Sequence, residues 1–224
     1  MTRTSGGRLA AAIIVGLAVL PLSGCLYAQI PEHPPTDQDP ITTDEPIDEP
    51  TNEPADGLPS SMSFDDGADV PSTAYIEWAD GFFADDGWKI TKPDDGNGGW
   101  AYGTIDDVCI AQFWQGDISS LPLVDGDDSA SSDAVLAYVL GDSTTAADIT
   151  PLAGTVQLGY GAGGAPSLDA RQVVGADDGR DWYITARAFT ATGYGVYLIT
   201  DCTGGDIAAT FSEIVEKNPV VITP

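Results

Sequence analysis

The feature that most constrains the fold is a run of strand-like segments joined by very short turns. Segments 168–174, 181–190 and 194–202 are rich in apolar, β-branched and aromatic residues. Residues 175–179, Gly-Ala-Asp-Asp-Gly, and the pair Thr192-Gly193 separate them. A parallel crossover needs a dozen or more residues, so these strands are predicted to be antiparallel neighbours. In the last strand Val196 and Tyr197 point to opposite faces, which predicts a sheet covered on both faces.

Other elements follow from hydrophobic period and turn residues. Aromatic residues at helical spacing, with Pro71 before them and Gly87 after them, predict a helix over 72–86. Further helices are predicted over 133–140, capped by Ser131 or Ser132, and over 206–217. Strands are predicted at 88–91, 155–160 and 220–222, and a hairpin at 100–105 and 108–114. The expected fold is therefore α+β, an antiparallel β-sheet with two to three packed helices. This order of elements is similar to that of the α/β/α sandwiches of the PsbP/Mog1 group.

The N-terminus carries an export pattern. Arg3 and Arg8 precede a 12-residue apolar run over 9–20, too short to cross a bilayer as a stable helix. Residues 22–25, Leu-Ser-Gly-Cys, then resemble the lipobox of bacterial lipoproteins. The resemblance implies that residues 1–24 are a signal peptide, removed as Cys25 is acylated with diacylglyceryl and palmitate. It places the protein on the extracytoplasmic face of the cell membrane, held by lipid. The alternative is an ordinary signal peptide with an incidental cysteine.

Residues 25–57 are predicted to be a disordered linker. Seven prolines and nine acidic residues, with no lysine or arginine, follow Cys25 up to Gly57. Such a segment has too little apolar surface to offset the entropy of ordering. Residues 58–224 remain as a single globular domain, a size that supports a hydrophobic core. The formal net charge of −27 excludes nucleic acid as a partner.

Histidine and cysteine usage limits the chemistry. His33 is the only histidine and lies in the linker, so the domain cannot assemble a histidine-based triad or a histidine-ligated zinc site. With Cys25 assigned to lipid, Cys109 and Cys202 remain, and export predicts that they form a disulfide. Buried free thiols are the alternative.

Two candidate sites emerge. Asp125, Asp127, Ser129 and Asp133 have the spacing of early calcium-loop ligands, but glycine and glutamate are missing from their usual positions. The alternative is a polar loop that caps a helix, and no metal is predicted with this weak pattern.

The second candidate is a polar binding face. If 175–179 closes a hairpin, Arg171, Tyr183 and Arg187 share one side of it with Asp169 and Thr185. The alternative is a set of local ion pairs and surface packing against Asp169. No cofactor is predicted, because the G-x-G-x-x-G match at 159–164 is followed by Pro166 and a strand-like stretch instead of a helix.

The sequence therefore predicts a lipid-anchored, non-enzymatic domain that binds an envelope protein or a small ligand. Its support is the anchor, the linker and the lack of a catalytic set in the domain. The alternatives are a carboxylate-dependent hydrolase, since acids are plentiful, and a small-ligand-binding lipoprotein.

Overall fold

A computed structural model describes residues 58–59, 61–141, 143–161 and 165–224. The predicted signal peptide, Cys25 and the linker up to residue 57 lie outside the described residues. Within these residues no helix has the length and hydropathy that a membrane span requires.

The described chain forms an α+β domain with nine strands and three helices. The strands are β1 (Tyr75–Trp78), β2 (Trp88–Lys92), β3 (Gly99–Thr104), β4 (Cys109–Asp117), β5 (Gly154–Tyr160), β6 (Ala165–Asp177), β7 (Arg180–Phe189), β8 (Tyr194–Thr203) and β9 (Val220–Thr223). The helices are α1 (Asp128–Leu140), α2 (Ala146–Ile149) and α3 (Ile207–Lys217). The α+β class is confirmed.

All nine strands join one sheet in the order β1-β9-β5-β6-β7-β8-β4-β3-β2. Neighbours are antiparallel, as the short turns predict, except that β5 and β9 meet in parallel at Tyr160 and Val220. The sheet is therefore mixed, and the expectation of a purely antiparallel sheet is wrong at this one junction. The exception arises because β9 reaches the sheet from α3 and is not connected to β5 by a turn.

Apolar side chains cover both faces of the sheet, as predicted. On one face Val196 and Leu198 join a core that includes Ile214 of α3; this is called the α3 face. On the other, Tyr197 and Ile199 pack against a core built around α1, called the α1 face. The alternating side chains of β8 thus connect two hydrophobic layers, as expected for a central strand.

The predicted helix over 72–86 is wrong. This segment contains β1, which pairs with β9, followed by turns over 81–84. Ile76 and Trp78 are buried while Tyr75 is exposed, which is a period of two instead of a helical period. Gly81 lies so close to the end of α3 that a Cβ there would overlap the carbonyl oxygen of Lys217. Tertiary packing therefore decides the conformation of this segment.

The helix predicted over 133–140 exists but begins earlier. Asp127 is its N-cap, and its Oδ1 accepts a hydrogen bond from the backbone nitrogen of Ala130 at 2.8 Å. Ser131 and Ser132, expected to be caps, lie inside the helix and are buried. The Ser132 hydroxyl donates to the carbonyl of Asp128 at 2.6 Å and accepts from the backbone nitrogen of Ala188 at 2.9 Å. Ser132 therefore links α1 to β7, and its buried hydroxyl has both a donor and an acceptor partner.

Candidate functional site

The main candidate site is a pocket of about 270 Å³ on the α3 face, where β1, β2, β3 and β4 come together. Trp100 and Tyr102 of β3 and Gln115 of β4 line it from the sheet. These three share a face because Trp100 lies opposite Phe113 in the β3–β4 ladder, and Gln115 is two residues further along β4. Period-two alternation within two neighbouring strands therefore builds one side of the pocket.

The opposite side comes from the end of β1 and the turn that follows it. Trp78, Asp80 and Phe83 line the pocket there. In the strand order β1 is an edge strand and is not a neighbour of β4. A side-chain hydrogen bond nevertheless joins the two strands, because the Trp78 backbone nitrogen donates to Gln115 Oε1 at 2.7 Å. The Trp78 indole nitrogen also donates to the carbonyl of Trp114 at 3.1 Å. The two bonds join the end of β1 to β4 beside the pocket.

The aromatic rings of the pocket are fixed by their neighbours. Trp100 stacks on Phe113 with ring centroids 5.4 Å apart and an interplanar angle of 13°. Trp78 meets the edge of the same Phe113 ring at 5.4 Å and 72°. Such contacts hold the rings in one geometry, so a ligand would meet preorganised aromatic surfaces.

A tyrosine–aspartate pair lies at the pocket. The Tyr102 hydroxyl donates to Asp80 Oδ1 at 2.7 Å. Burial raises the pKa of Tyr102, and the hydrogen bond to Asp80 and its negative charge raise it further. Tyr102 therefore stays a neutral donor, and Asp80 is fixed in orientation at the pocket mouth.

The third side carries Ile90, Lys92 and Asp94. The Lys92 ammonium is bound to Asp95 Oδ2 at 2.7 Å. This bond, together with backbone donors, holds the pKa of Asp95 below its ordinary value. Lys92 is therefore already neutralised by a carboxylate beside the pocket.

A second cavity, of about 260 Å³, lies beside α1 and is lined by Leu121, Pro122, Tyr138 and small or hydroxyl-bearing residues. It contains no charged side chain. Both cavities offer polar groups, but the pocket at β1–β4 combines carboxylate and amide groups with four aromatic side chains, so it is the better candidate.

The structure does not bring the predicted binding face together. Arg171 lies opposite Ala186 in the β6–β7 ladder, so it is on the α1 face. Tyr183 and Arg187 alternate with Ala186 along β7 and lie on the α3 face. The prediction that these residues share one polar face is therefore wrong. It required a β6–β7 register that differs by one residue from the observed pairing of Arg171 with Ala186.

Both arginines form structural ion pairs instead. Arg171 Nε donates to Asp133 Oδ1 at 2.7 Å and joins β6 to α1. Arg187 is fully buried; its Nη2 donates to Asp128 Oδ2 at 2.9 Å and to the carbonyl of Ser63 at 3.0 Å. Burial lowers the pKa of Arg187, and the charge of Asp128 opposes that shift. Both are ion pairs, as the alternative expected, but they join the sheet to α1 instead of packing at the surface against Asp169.

The calcium candidates also have structural partners. Asp127 caps α1, and Asp133 is held by Arg171 and by the Thr150 hydroxyl at 2.9 Å. Asp125 is exposed and Ser129 lies in the first turn of the helix. In the described part of the chain, no group of three acidic, cysteine or histidine side chains is placed to hold a metal ion.

Cys109 and Cys202 form a disulfide, as predicted. They are directly opposite each other in the β4–β8 ladder, with Cα atoms 4.1 Å apart. The bond joins two neighbouring strands across 93 residues of sequence and is buried beside Ile207.

Sequence reasoning missed the pocket because its residues are distant in the chain. Trp78 and Phe83 were assigned to a helix, and their partners belong to strands beyond residue 88. One usable signal exists: Trp100 and Tyr102 alternate within a predicted strand, which places two aromatic rings on one face.

Comparisons with protein-family models, with curated proteins and with solved structures found no match to this chain.

Proposed function

We propose that this protein is a non-enzymatic ligand-binding domain, held at the extracytoplasmic face of the membrane by an acylated Cys25. The observation that carries the binding proposal is the convergence of four aromatic side chains on one pocket. Trp78 and Phe83 come from β1 and its following turn, and Trp100 and Tyr102 from β3. Clefts with aromatic walls and a few oriented polar groups are typical of small-molecule sites.

The pKa shifts and ion pairs of the carboxyl groups favour a binding function over catalysis by carboxylates. A glycosidase general acid needs a raised pKa. Five acids outside the pocket lining have pKa values below the ordinary value, so none of them is poised as a general acid: Asp85, Asp95, Asp106, Asp117 and Asp148. The buried carboxylates of Asp128 and Asp133 are ion-paired with Arg187 and Arg171. In this proposal the acidic side chains form structural ion pairs and give the domain its negative charge.

Fluorine NMR of the full chain tests the pocket. The Cys25→Ala chain would be labelled with 5-fluorotryptophan, which reports on five tryptophans. A library of small polar, charged and neutral compounds is then added. We expect hits that shift the Trp78 and Trp100 resonances and leave Trp182, on the α1 face, unchanged. A library with no hit, or hits that move Trp182 alone, would overturn the proposed site.

Mass spectrometry tests the anchor independently. Membrane fractions from cells expressing wild type and Cys25→Ala are compared by intact mass. The wild-type chain should begin at Cys25 and carry acyl chains, whereas the variant should be absent from the membrane in processed form. An unacylated chain cut at another residue would show a freely exported domain instead.

A further inference from the structure

We propose that the pocket takes a small organic cation, an ammonium or methylated ammonium compound. This inference rests on the proposed function, because it names the ligand class of the same pocket. It is argued from the placement of charges, from the hydrogen-bonding groups at the pocket and from the aromatic rings.

The positive charges of the described chain are all committed to carboxylates. Each of its six lysine and arginine side chains forms an ion pair: Lys89 with Asp107, Lys92 with Asp95, Arg171 with Asp133, Arg180 with Asp201, Arg187 with Asp128, and Lys217 with Asp85 and Glu213. An anionic ligand would therefore have to displace an internal carboxylate from its cation. The excess acids leave a negative field at the surface, which raises the local concentration of cations.

The charged groups at the pocket that have no partner of opposite charge are carboxylates, and the side-chain NH2 of Gln115, whose oxygen accepts from Trp78, is a neutral donor beside them. Asp80 and Asp94 contribute carboxylates, and the Tyr102 proton is already donated to Asp80. The Trp78 indole nitrogen is directed to a backbone carbonyl, so it offers the ligand no donor. The Lys92 ammonium is bound by Asp95. A ligand that carries donors and a positive charge fits the two carboxylates of this set.

The aromatic rings supply the complementary surface for such a ligand. The face of an indole or phenol ring attracts ammonium groups, and tryptophan does so most strongly. Two tryptophans, a tyrosine and a phenylalanine meet at this pocket. Its volume of about 270 Å³ is at the small end for ligand cavities, which suits a compact cation.

Choline and its neutral isostere 3,3-dimethylbutan-1-ol form the decisive probe pair. They share shape and hydroxyl group and differ in whether the central atom is charged nitrogen or carbon. Calorimetric and NMR titrations of the Cys25→Ala chain would be run at low salt and at 0.5 M salt. We expect choline to bind at least about tenfold more tightly than the isostere and to weaken with salt.

Asp80→Asn provides the matched variant. Asparagine keeps an oxygen that accepts from Tyr102 but removes the charge, so we expect choline affinity to fall several-fold while affinity for the isostere is unchanged. Asp86→Asn removes the same charge from an exposed position outside the pocket lining and should leave both affinities unchanged. Trp100→Ala should reduce the binding of both probes.

The outcomes separate the two proposals. Equal affinity for choline and its isostere, or no binding of choline at 10 mM where another class of compound binds, overturns the cation proposal and leaves the pocket as a binding site. Probe binding that leaves the Trp78 and Trp100 resonances unmoved overturns the site itself.

Discussion

Replacing Asp128 with alanine tests how α1 is fixed to the sheet. One Asp128 oxygen accepts from Arg187 Nη2 at 2.9 Å, and the other accepts from the backbone nitrogen and hydroxyl of Thr190 at 2.8 and 2.6 Å. The two charged side chains are 2% and 0% exposed. Asp128→Ala therefore removes three hydrogen bonds and leaves a guanidinium in the core without its counterion.

The expected cost follows from that orphaned charge. Removing one partner of a buried ion pair costs about 3–5 kcal/mol. Arg187 keeps the carbonyls of Ser63 and Asp169 and lies 4.5 and 5.0 Å from the ring centroids of Phe64 and Phe189, which offset part of the loss. We expect a loss of about 3 kcal/mol, which corresponds to a decrease in Tm of about 10 °C for a domain of this size.

Urea unfolding of wild type, Asp128→Ala and the exposed control Asp125→Ala measures this cost. The double variant Asp128→Ala/Arg187→Met should be more stable than Asp128→Ala alone, since it removes the uncompensated charge. A loss below about 1 kcal/mol in Asp128→Ala, or strictly additive losses in the double variant, would refute the reasoning.

Three further predictions concern stability. Cys109→Ser with Cys202→Ser should lower the free energy of unfolding by up to about 4–5 kcal/mol, checked by urea unfolding with and without reductant. Burial raises the pKa of Tyr102 above its ordinary value of about 10, so its contribution to stability is complete below about pH 10 and is lost as the pH rises further. Tyr102→Phe should therefore lose stability less steeply above about pH 10, measured by urea unfolding between about pH 10 and 12. Gly81→Ala should destabilise by more than about 1 kcal/mol, because its methyl group would overlap the backbone at the end of α3, whereas Gly154→Ala, in open space, serves as the control.

The fold was predictable where the contacts are local. The β6–β7–β8 hairpins are joined by turns whose residues favour left-handed backbone, such as Gly179 and Gly193, both at positive φ. Alternating apolar residues then specify which side chains meet each core. The helix predicted over 206–217 was also readable, because its apolar residues recur at helical spacing and form one face. In the structure Asp206 is its N-cap and accepts from the backbone nitrogens of Ala208 and Ala209.

Prediction failed where distant residues decide the structure. Residues 75–83 fit a helical stripe, yet β1 is a strand because β9, beginning at Val220, supplies its backbone partners. The sequence contains no local signal for that pairing. The parallel junction of β5 with β9 was missed for the same reason.

The pocket was not predictable for a related reason. It requires β1 to lie across β4, which depends on single hydrogen bonds from Trp78 to residues 114 and 115. The arginine pairs show a further limit: the β6–β7 hairpin was predicted, but its register was not, and a shift of one residue moves a side chain to the opposite face.

The cross-strand disulfide also determines what a cut chain would do. All of α1, α2 and β5 to β7 lie between Cys109 and Cys202, including the exposed turn at Asp178 and Gly179. A protease that hydrolysed one bond in that turn would leave two fragments joined by sulfur and by the β4–β8 ladder. The nicked protein would migrate as one species until it was reduced. In an environment exposed to proteases, the domain can therefore lose the continuity of its backbone at this turn and still remain a single covalent molecule.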